Sequence, residues 1–250
     1  MPKYTLLEIT QSILSDMNSD EINSVTDTVE SLQVAQIVKD TYYEIITEGD
    51  WPHLETLMQL SASGDNALPT HMHMPENVQR IKSIRYNKRM VTETRDDYSL
   101  VRYKSPEEFL ELVMKRLSSE ANVETITDVS GVVILILNDV APTYWTSFDN
   151  EWIVFDSYDS DVDTTLQSSK SQCVALREPT FTISDTFVPD LPSVAFPYLL
   201  SESKSAAFLA LKNSANQKEE QRANRQRRRM SQERWRVGGG ITFPDYGRKR

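Results

Sequence analysis

Residues 24–52, SVTDTVESLQVAQIVKDTYYEIITEGDWP, decide how the chain begins to fold. Ser24 and Asp27 supply a helix start signal, and Val25, Val29, Leu32, Ala35, Val38, Tyr42 and Ile45 follow at steps of three or four. That spacing places the apolar residues on one helical face over about six turns. Gly49 and Pro52 close the segment, as glycine and proline do past a helix end. Upstream, Thr5–Leu6–Leu7–Glu8 reads as a capping box, with Ile9, Ile13 and Met17 at helical spacing and an end near Asn18. The two segments predict a helical hairpin of one short and one long arm.

Farther along, the texture changes. Ser61–Asn66, Pro69 and Pro75 read as loop, whereas Val78–Tyr86 and Tyr98–Tyr103 are β-branched or aromatic runs bounded by polar residues and read as strands. Ser105–Pro106–Glu107–Glu108 caps a helix near 106–118, with proline at its first position. Val123–Val129 alternates, Val132–Leu137 is wholly apolar and reads as a central strand, and Trp152–Phe155 is a further strand. Three prolines between Leu166 and Leu191's successor Pro192 limit that stretch to short elements. A last helix opens at Pro197–Tyr198, with Leu200, Ala207, Phe208, Leu211 and Ala215 as its apolar stripe.

Beyond Ala215 the stripe stops. From Asn216 to Gln232 only Ala223 and Met230 are apolar, and such a helix has little reason to bury itself in its own monomer. Gly238–Gly240 then leads into Ile241–Tyr246, an extended arm with two aromatic anchors. The predicted class is α+β: residues 1–50 and 197–236 form a helical bundle, residues 51–196 a β-rich insertion, and residues 237–250 an extended arm.

Charge is distributed unevenly. Net charge is −10, but residues 1–200 carry 14 Lys+Arg against 32 Asp+Glu, whereas residues 201–250 carry 13 against 5. An acidic body repels phosphate and makes a poor general nucleic-acid binder, yet it suits a passage through which DNA slides without sticking. The N-terminus lacks the apolar stretch of a signal peptide and no run approaches a membrane span, which predicts synthesis in the cytoplasm. A single cysteine, Cys173, excludes an intrachain disulfide and a cysteine zinc cage, and reads as a small half-buried residue.

Candidate chemistry is sparse. Asp156, Asp159, Asp161 and Asp163 form the most suggestive carboxylate cluster, and Asp159-x-Asp161-x-Asp163 mimics the first half of an EF-hand loop, but Thr164 stands where glycine is needed and Lys170 where glutamate is needed. The pattern therefore reads first as a solvated acidic turn, with a weak Ca²⁺ or Mg²⁺ site as the lesser alternative. His71 and His73 read as polar loop residues, lacking further ligands for a tetrahedral site. Glycine-rich phosphate loops and nucleophile elbows are missing, so neither a cofactor nor a catalytic residue is expected. The sharpest charge run is Arg222, Arg225, Arg227, Arg228 and Arg229. It reads equally as a solvated helix face or a grip on an acidic protein, and less readily as a phosphate binder. Trp235, Phe243 and Tyr246 follow, and large aromatics with arginine favour an interface.

Taken together, the chain resembles the head-to-tail adaptor, or tail tubular protein A-like, ring proteins of short-tailed phages. The likeness rests on the hairpin Leu6–Glu48, the β-rich insertion, the return helix from Pro197 and the C-terminal arm. The runs Phe155–Asp156–Ser157–Tyr158–Asp159 and Val162–Asp163–Thr164–Thr165–Leu166–Gln167 share the same texture. The resemblance implies a virion protein at the head–tail junction, a dodecameric ring between portal and tail nozzle through whose lumen phage DNA passes. It implies that the C-terminal segment faces the portal, which makes Arg225, Arg228, Arg229, Arg234, Trp235, Arg236, Phe243, Tyr246 and Arg248 the candidate portal-binding residues. A virion cell-wall hydrolase and an arginine-rich nucleic-acid binder are the alternative readings.

Overall fold

A computed structural model of the protein describes residues 3–49 and 51–233, with side chains described through residue 228. The chain divides into two compact units, Met1–Leu54 with Pro179–Arg250, and Glu55–Glu178.

The first unit is built from α1 (Leu6–Asp16), α2 (Val29–Thr47), α4 (Phe196–Lys212) and α5 (Gln217–Glu233). Capping chemistry begins α1 and α2. The Thr5 hydroxyl accepts the Glu8 N–H at 3.2 Å while the Thr5 N–H donates to Glu8 Oε2 at 2.8 Å. Thr28 and Ser31 form the same reciprocal pair for α2. The second helix therefore starts four residues after Ser24–Val25, which form a turn instead. Asp185 holds that turn, its Oδ1 accepting from the Val25 N–H at 2.7 Å and the Ser24 hydroxyl at 3.1 Å. The apolar stripe rotates accordingly. Val34, Ala35, Val38, Tyr42, Ile45 and Ile46 are buried, whereas Val29 and Leu32 are 76% and 45% exposed.

The expected continuous helix from Pro197 is two helices. Asn213 takes a left-handed conformation (φ 49°) and ends α4, its N–H donating to the Phe208 carbonyl. Asparagine tolerates this region because its short polar side chain bonds locally, and it is a common helix stop. After a three-residue turn, α5 packs against α4.

The second unit carries β1 (Glu55–Met58), β2 (Ser61–Ala62), β3 (His71–His73), β4 (Val78–Asn87), β5 (Tyr98–Tyr103), α3 (Pro106–Met114), β6 (Val123–Thr127), β7 (Val133–Leu137), β8 (Tyr144–Thr146), β9 (Trp152–Phe155) and β10 (Ser171–Arg177). Eight strands form one sheet in the order β1-β10-β4-β5-β8-β9-β3-β2, and β6 with β7 forms a second. Neighbours in the large sheet are antiparallel except β5 and β8. Its inner rows, such as Met58–Cys173–Ile84–Val101, face a core that includes Phe109, Ile134, Phe155 and Leu166.

This architecture overturns the expectation of a helical bundle carrying a β-rich insertion. An eight-stranded sheet curled into a half-barrel is a principal element, and the residues are 33% helical and 23% strand. The reason lies in strands that carry little local signal. Glu55–Met58, Ser61–Ala62, His71–His73 and Tyr144–Thr146 are two to four residues long, too short to show an alternating period, and they become strands because neighbours supply ladder partners. The opposite error falls on Val132–Leu137. That run pairs only with β6 through its strand ladder; Ile134 and Ile136 face the core, Val133 on the opposite side is 46% exposed, and Val132, just before the strand, is exposed as well.

Cys173 lies at 0% exposure on β10 rather than half-buried, and burial pushes its thiol up to about 11. A thiol-reactive dye at neutral pH should therefore label the native protein at a small fraction of the rate seen in urea. Equal rates in both conditions would show that β10 opens freely.

Candidate partner-binding helix

Asn216, just before α5, caps it, its side-chain oxygen accepting the Glu219 N–H at 3.3 Å. Glu219 and Glu220 lie in the first turn, where carboxylates suit the positive end of the helix dipole. Glu219, Ala223 and Gln226, at steps of four and three, turn inward. Ala223 is 1% exposed, and its small side chain lets the helix approach α4 closely. Arg227 reaches Glu48 at 3.0 Å. The same carboxylate accepts the Tyr198 hydroxyl at 3.2 Å.

The ground beneath α5 is acidic. Burial raises the Glu202 pKa, and the neighbouring Glu44, Glu48 and Glu220 carboxylates push it further the same way, while Arg227 opposes them. Burial and then Glu48 likewise raise the Tyr198 phenol. Arg227 is thus the counter-charge that lets a cluster of carboxylates sit together under a basic helix. A helix that is nearly free of apolar residues does find a seat on its own unit, contrary to the expectation from composition, with Ala223 buried against it and Arg227 paired with Glu48.

What remains is the outer face. Arg222, Arg225 and Arg228 are exposed, with Arg222 held only by a 3.6 Å intrahelical pair to Glu219 and Arg225 Nε donating to the Gln221 carbonyl at 3.4 Å. Positions three and six apart project from one side of a helix. Of the candidate portal-binding residues, the structure brings Arg225 and Arg228 together on this face and places the backbone of Arg229 in the same helix. Arg234, Trp235, Arg236, Phe243, Tyr246 and Arg248, with the extended arm and the glycine run before it, lie outside the described residues.

The other constellations resolve into structural roles. Asp156 leaves the acidic turn altogether. It is 3% exposed, and its Oδ2 accepts from Arg116 at 3.1 Å. Asp163 pairs with Lys170, the lysine standing where an EF-hand needs its last carboxylate. No group of three or more His, Cys, Asp or Glu among the described residues could hold a metal ion. An open recess of about 290 Å³ adjoins this turn, lined in part by Tyr86, Arg89, Tyr158 and Lys170. Its polar groups are engaged, Tyr158 donating to Glu124 at 2.6 Å and Arg89 pairing with Asp96 at 3.2 Å.

The histidines depart from the expected loop. Both lie on β3. His73 stacks on Trp152 with ring centres 3.5 Å apart, and His71 is fully buried with Nε2 2.8 Å from Asp128 Oδ1. The Thr70 hydroxyl is 3.4 Å from His71 Nδ1. Hydroxyl, imidazole and carboxylate in sequence have the form of a nucleophile relay, but all three residues are buried, so no substrate reaches the hydroxyl. The pair instead ties the β6–β7 turn to β3.

Burial alone raises the Asp128 pKa, but bonds from Ser130 and His71 outweigh it and hold the carboxyl below its ordinary value. A carboxyl with a depressed folded-state pKa adds stability above its unfolded pKa, and that stability is lost as pH falls through the folded value. Asp128→Asn should therefore cost about 1–3 kcal/mol at pH 7, the scale of a buried bond to a charged group. The gap between variant and parent in urea melts should close below pH 3.8. A gap that stays constant from pH 7 to pH 3 would mean that the Asp128 charge contributes nothing.

Long-range pairs, namely Arg116–Asp156, His71–Asp128 and Arg227–Glu48, are what sequence spacing could not reveal. Their partners lie 40, 57 and 179 residues apart, and each residue type is unremarkable in its own neighbourhood. No helix among the described residues is long and apolar enough to cross a membrane. No protein-family model matches the chain, and no curated protein compared with it is significantly similar.

Proposed function

We propose that the chain is a structural head-to-tail adaptor subunit of a phage virion, and that α5 with the residues after it grips the portal. In this role the protein is not an enzyme. Copies form a ring, of twelve if the family resemblance carries over, that joins the portal to the tail nozzle and leaves a lumen for DNA. The observation that carries the reading is the outer face of α5. Arg222, Arg225 and Arg228 project from a helix whose other face is already seated on acidic ground. Arginine pairs bidentately with carboxylates, so such a face suits an acidic protein surface. The acidic body supports the second half of the proposal, since a lumen lined with carboxylates does not retain DNA.

Negative-stain imaging of the purified protein, alone and mixed with portal rings of a short-tailed phage, tests the reading. Rings alone, or a new layer on the portal, are expected. A protein that stays monomeric and adds no layer to any portal would overturn it. Tight, steeply salt-dependent binding to random DNA would instead favour a nucleic-acid role for the same arginines.

A further inference from the structure

Between β1 and β5 the large sheet shows its outer side to solvent. The strand register fixes which residues share that side. Leu57 lies opposite Val174 and Val174 opposite Ser83, while the next row runs Gln172, Arg85, Leu100. Leu57 and Leu100 are 68% and 55% exposed, and Arg85 and Arg102 are exposed beside them. An antiparallel sheet that faces water normally carries polar residues on that side. Here two leucines and a half-buried valine sit among arginines, the composition of a protein interface centre. The region is also a basic island in an acidic chain, for residues 78–104 carry eight Lys+Arg against three Asp+Glu.

The complementary surface is on the other unit. The stripe of α2 turned away from its core runs Val29, Leu32, Gln36 and Asp40, all exposed. It begins apolar and ends acidic, and residues 1–54 hold ten Asp+Glu against two Lys. Its length also fits. Val29 to Asp40 spans about 16 Å at the rise of an α-helix, and β1 to β5 spans about 14 Å at the spacing of neighbouring strands. Leucine on leucine and carboxylate on guanidinium then meet together.

We propose that the outer face of β1-β10-β4-β5 docks on the exposed stripe of α2 from a second copy of this chain. The two patches are different surfaces, so the contact is heterologous and propagates head to tail, closing into a ring if the rotation allows. The proposal rests on the adaptor reading and names the subunit contact of that ring. Nucleic acid is the poorer occupant, because the exposed apolar side chains of this face are leucines, and the half-buried Tyr98 at its edge is a single ring rather than a platform on which successive bases stack.

Two full-length variants that each add one cysteine test it, Leu32→Cys and Leu57→Cys, with Cys173 left in place because its buried thiol is protected. A short bifunctional maleimide should link the two variants only when they are mixed. Linking of Leu57→Cys to itself would show a two-fold contact and overturn the proposal, as would no linking in the mixture. In a second arm, Arg85→Glu with Arg102→Glu should weaken self-association about tenfold or more, and Asp40→Lys on the other copy should restore part of it. Failure of this rescue would overturn the charge pairing. Portal docking is measured in parallel. If docking persists while linking fails, the subunit contact is wrong and the adaptor reading stands; if both fail, both fall. DNA binding lost in Arg85→Glu would assign the face to nucleic acid and overturn the proposal.

Discussion

Asp156→Ala should destabilise the second unit by about 3–5 kcal/mol, the cost of removing one partner from a buried ion pair. The carboxylate and the guanidinium have 4% and 12% exposed side chains. One Asp156 oxygen accepts the backbone N–H groups of Thr143 and Tyr144 at 3.0 and 2.8 Å, and the other accepts from Arg116. Arg116 in turn donates to the backbone carbonyls of Leu135 and Asp156 at 3.0 and 2.6 Å. The pair therefore joins the turn after α3, β7 and the start of β8 to the residue following β9. Alanine leaves a buried cation and two unsatisfied N–H groups, each of which carries a desolvation penalty.

Asp156→Asn keeps the oxygen that the two N–H groups need and loses only the charge, so it should cost clearly less. The double variant Arg116→Met, Asp156→Leu should not recover full stability, because those N–H groups remain without acceptors. Urea unfolding followed by circular dichroism checks all three. The midpoint for Asp156→Ala should fall by about 1–3 M at the slopes usual for domains of this size. A fall within experimental error would mean that water satisfies this cluster.

Changing Arg222, Arg225 and Arg228 to glutamate should weaken portal docking by about 10²–10⁴-fold while leaving the fold intact. The three side chains are exposed, so their reversal removes no core contact. At the interface, attraction becomes repulsion, and like charges placed together cost several kcal/mol. Arg227→Glu should behave differently. It places a carboxylate against Glu48, beside Glu44 and Glu202, and should loosen α5 from its own unit. Titration of each variant onto immobilised portal rings gives the affinity, and hydrogen exchange across residues 217–228 reports whether the helix stays seated. Undiminished docking by the triple variant, with α5 still protected, would remove this face from the portal contact.

Much of the first unit was legible locally. Thr5 with Glu8 marked the start of α1, and the heptad-like recurrence through Val38, Tyr42 and Ile45 marked the body of α2. Capping and periodicity act within a turn or two, so they survive translation from sequence to structure. Even there the start of α2 moved, because Asp185, some 160 residues away, claims Ser24 and Val25 for a turn. The candidate site was legible as a basic run but not as a two-faced helix. Only the fold shows that Arg227 serves Glu48 while Arg225 and Arg228 face outward.

By itself, then, the sequence determined the helices with strong caps, the strands at Val78–Tyr86 and Tyr98–Tyr103, and the separation of an acidic body from a basic tail. These follow from local hydrogen bonding, side-chain period and charge, none of which needs a distant partner. The tertiary structure alone decided that the strands close into an eight-stranded half-barrel, that Val133–Leu137 belongs to a two-stranded sheet, and that His71 is buried rather than in a loop. Short strands such as His71–His73 hold their shape only through ladder bonds to residues far along the chain, here Val154 and Ile153 across from His71 and Met72. Non-local pairing leaves no period in the sequence, and so the sheet became visible only once its partners stood beside each other.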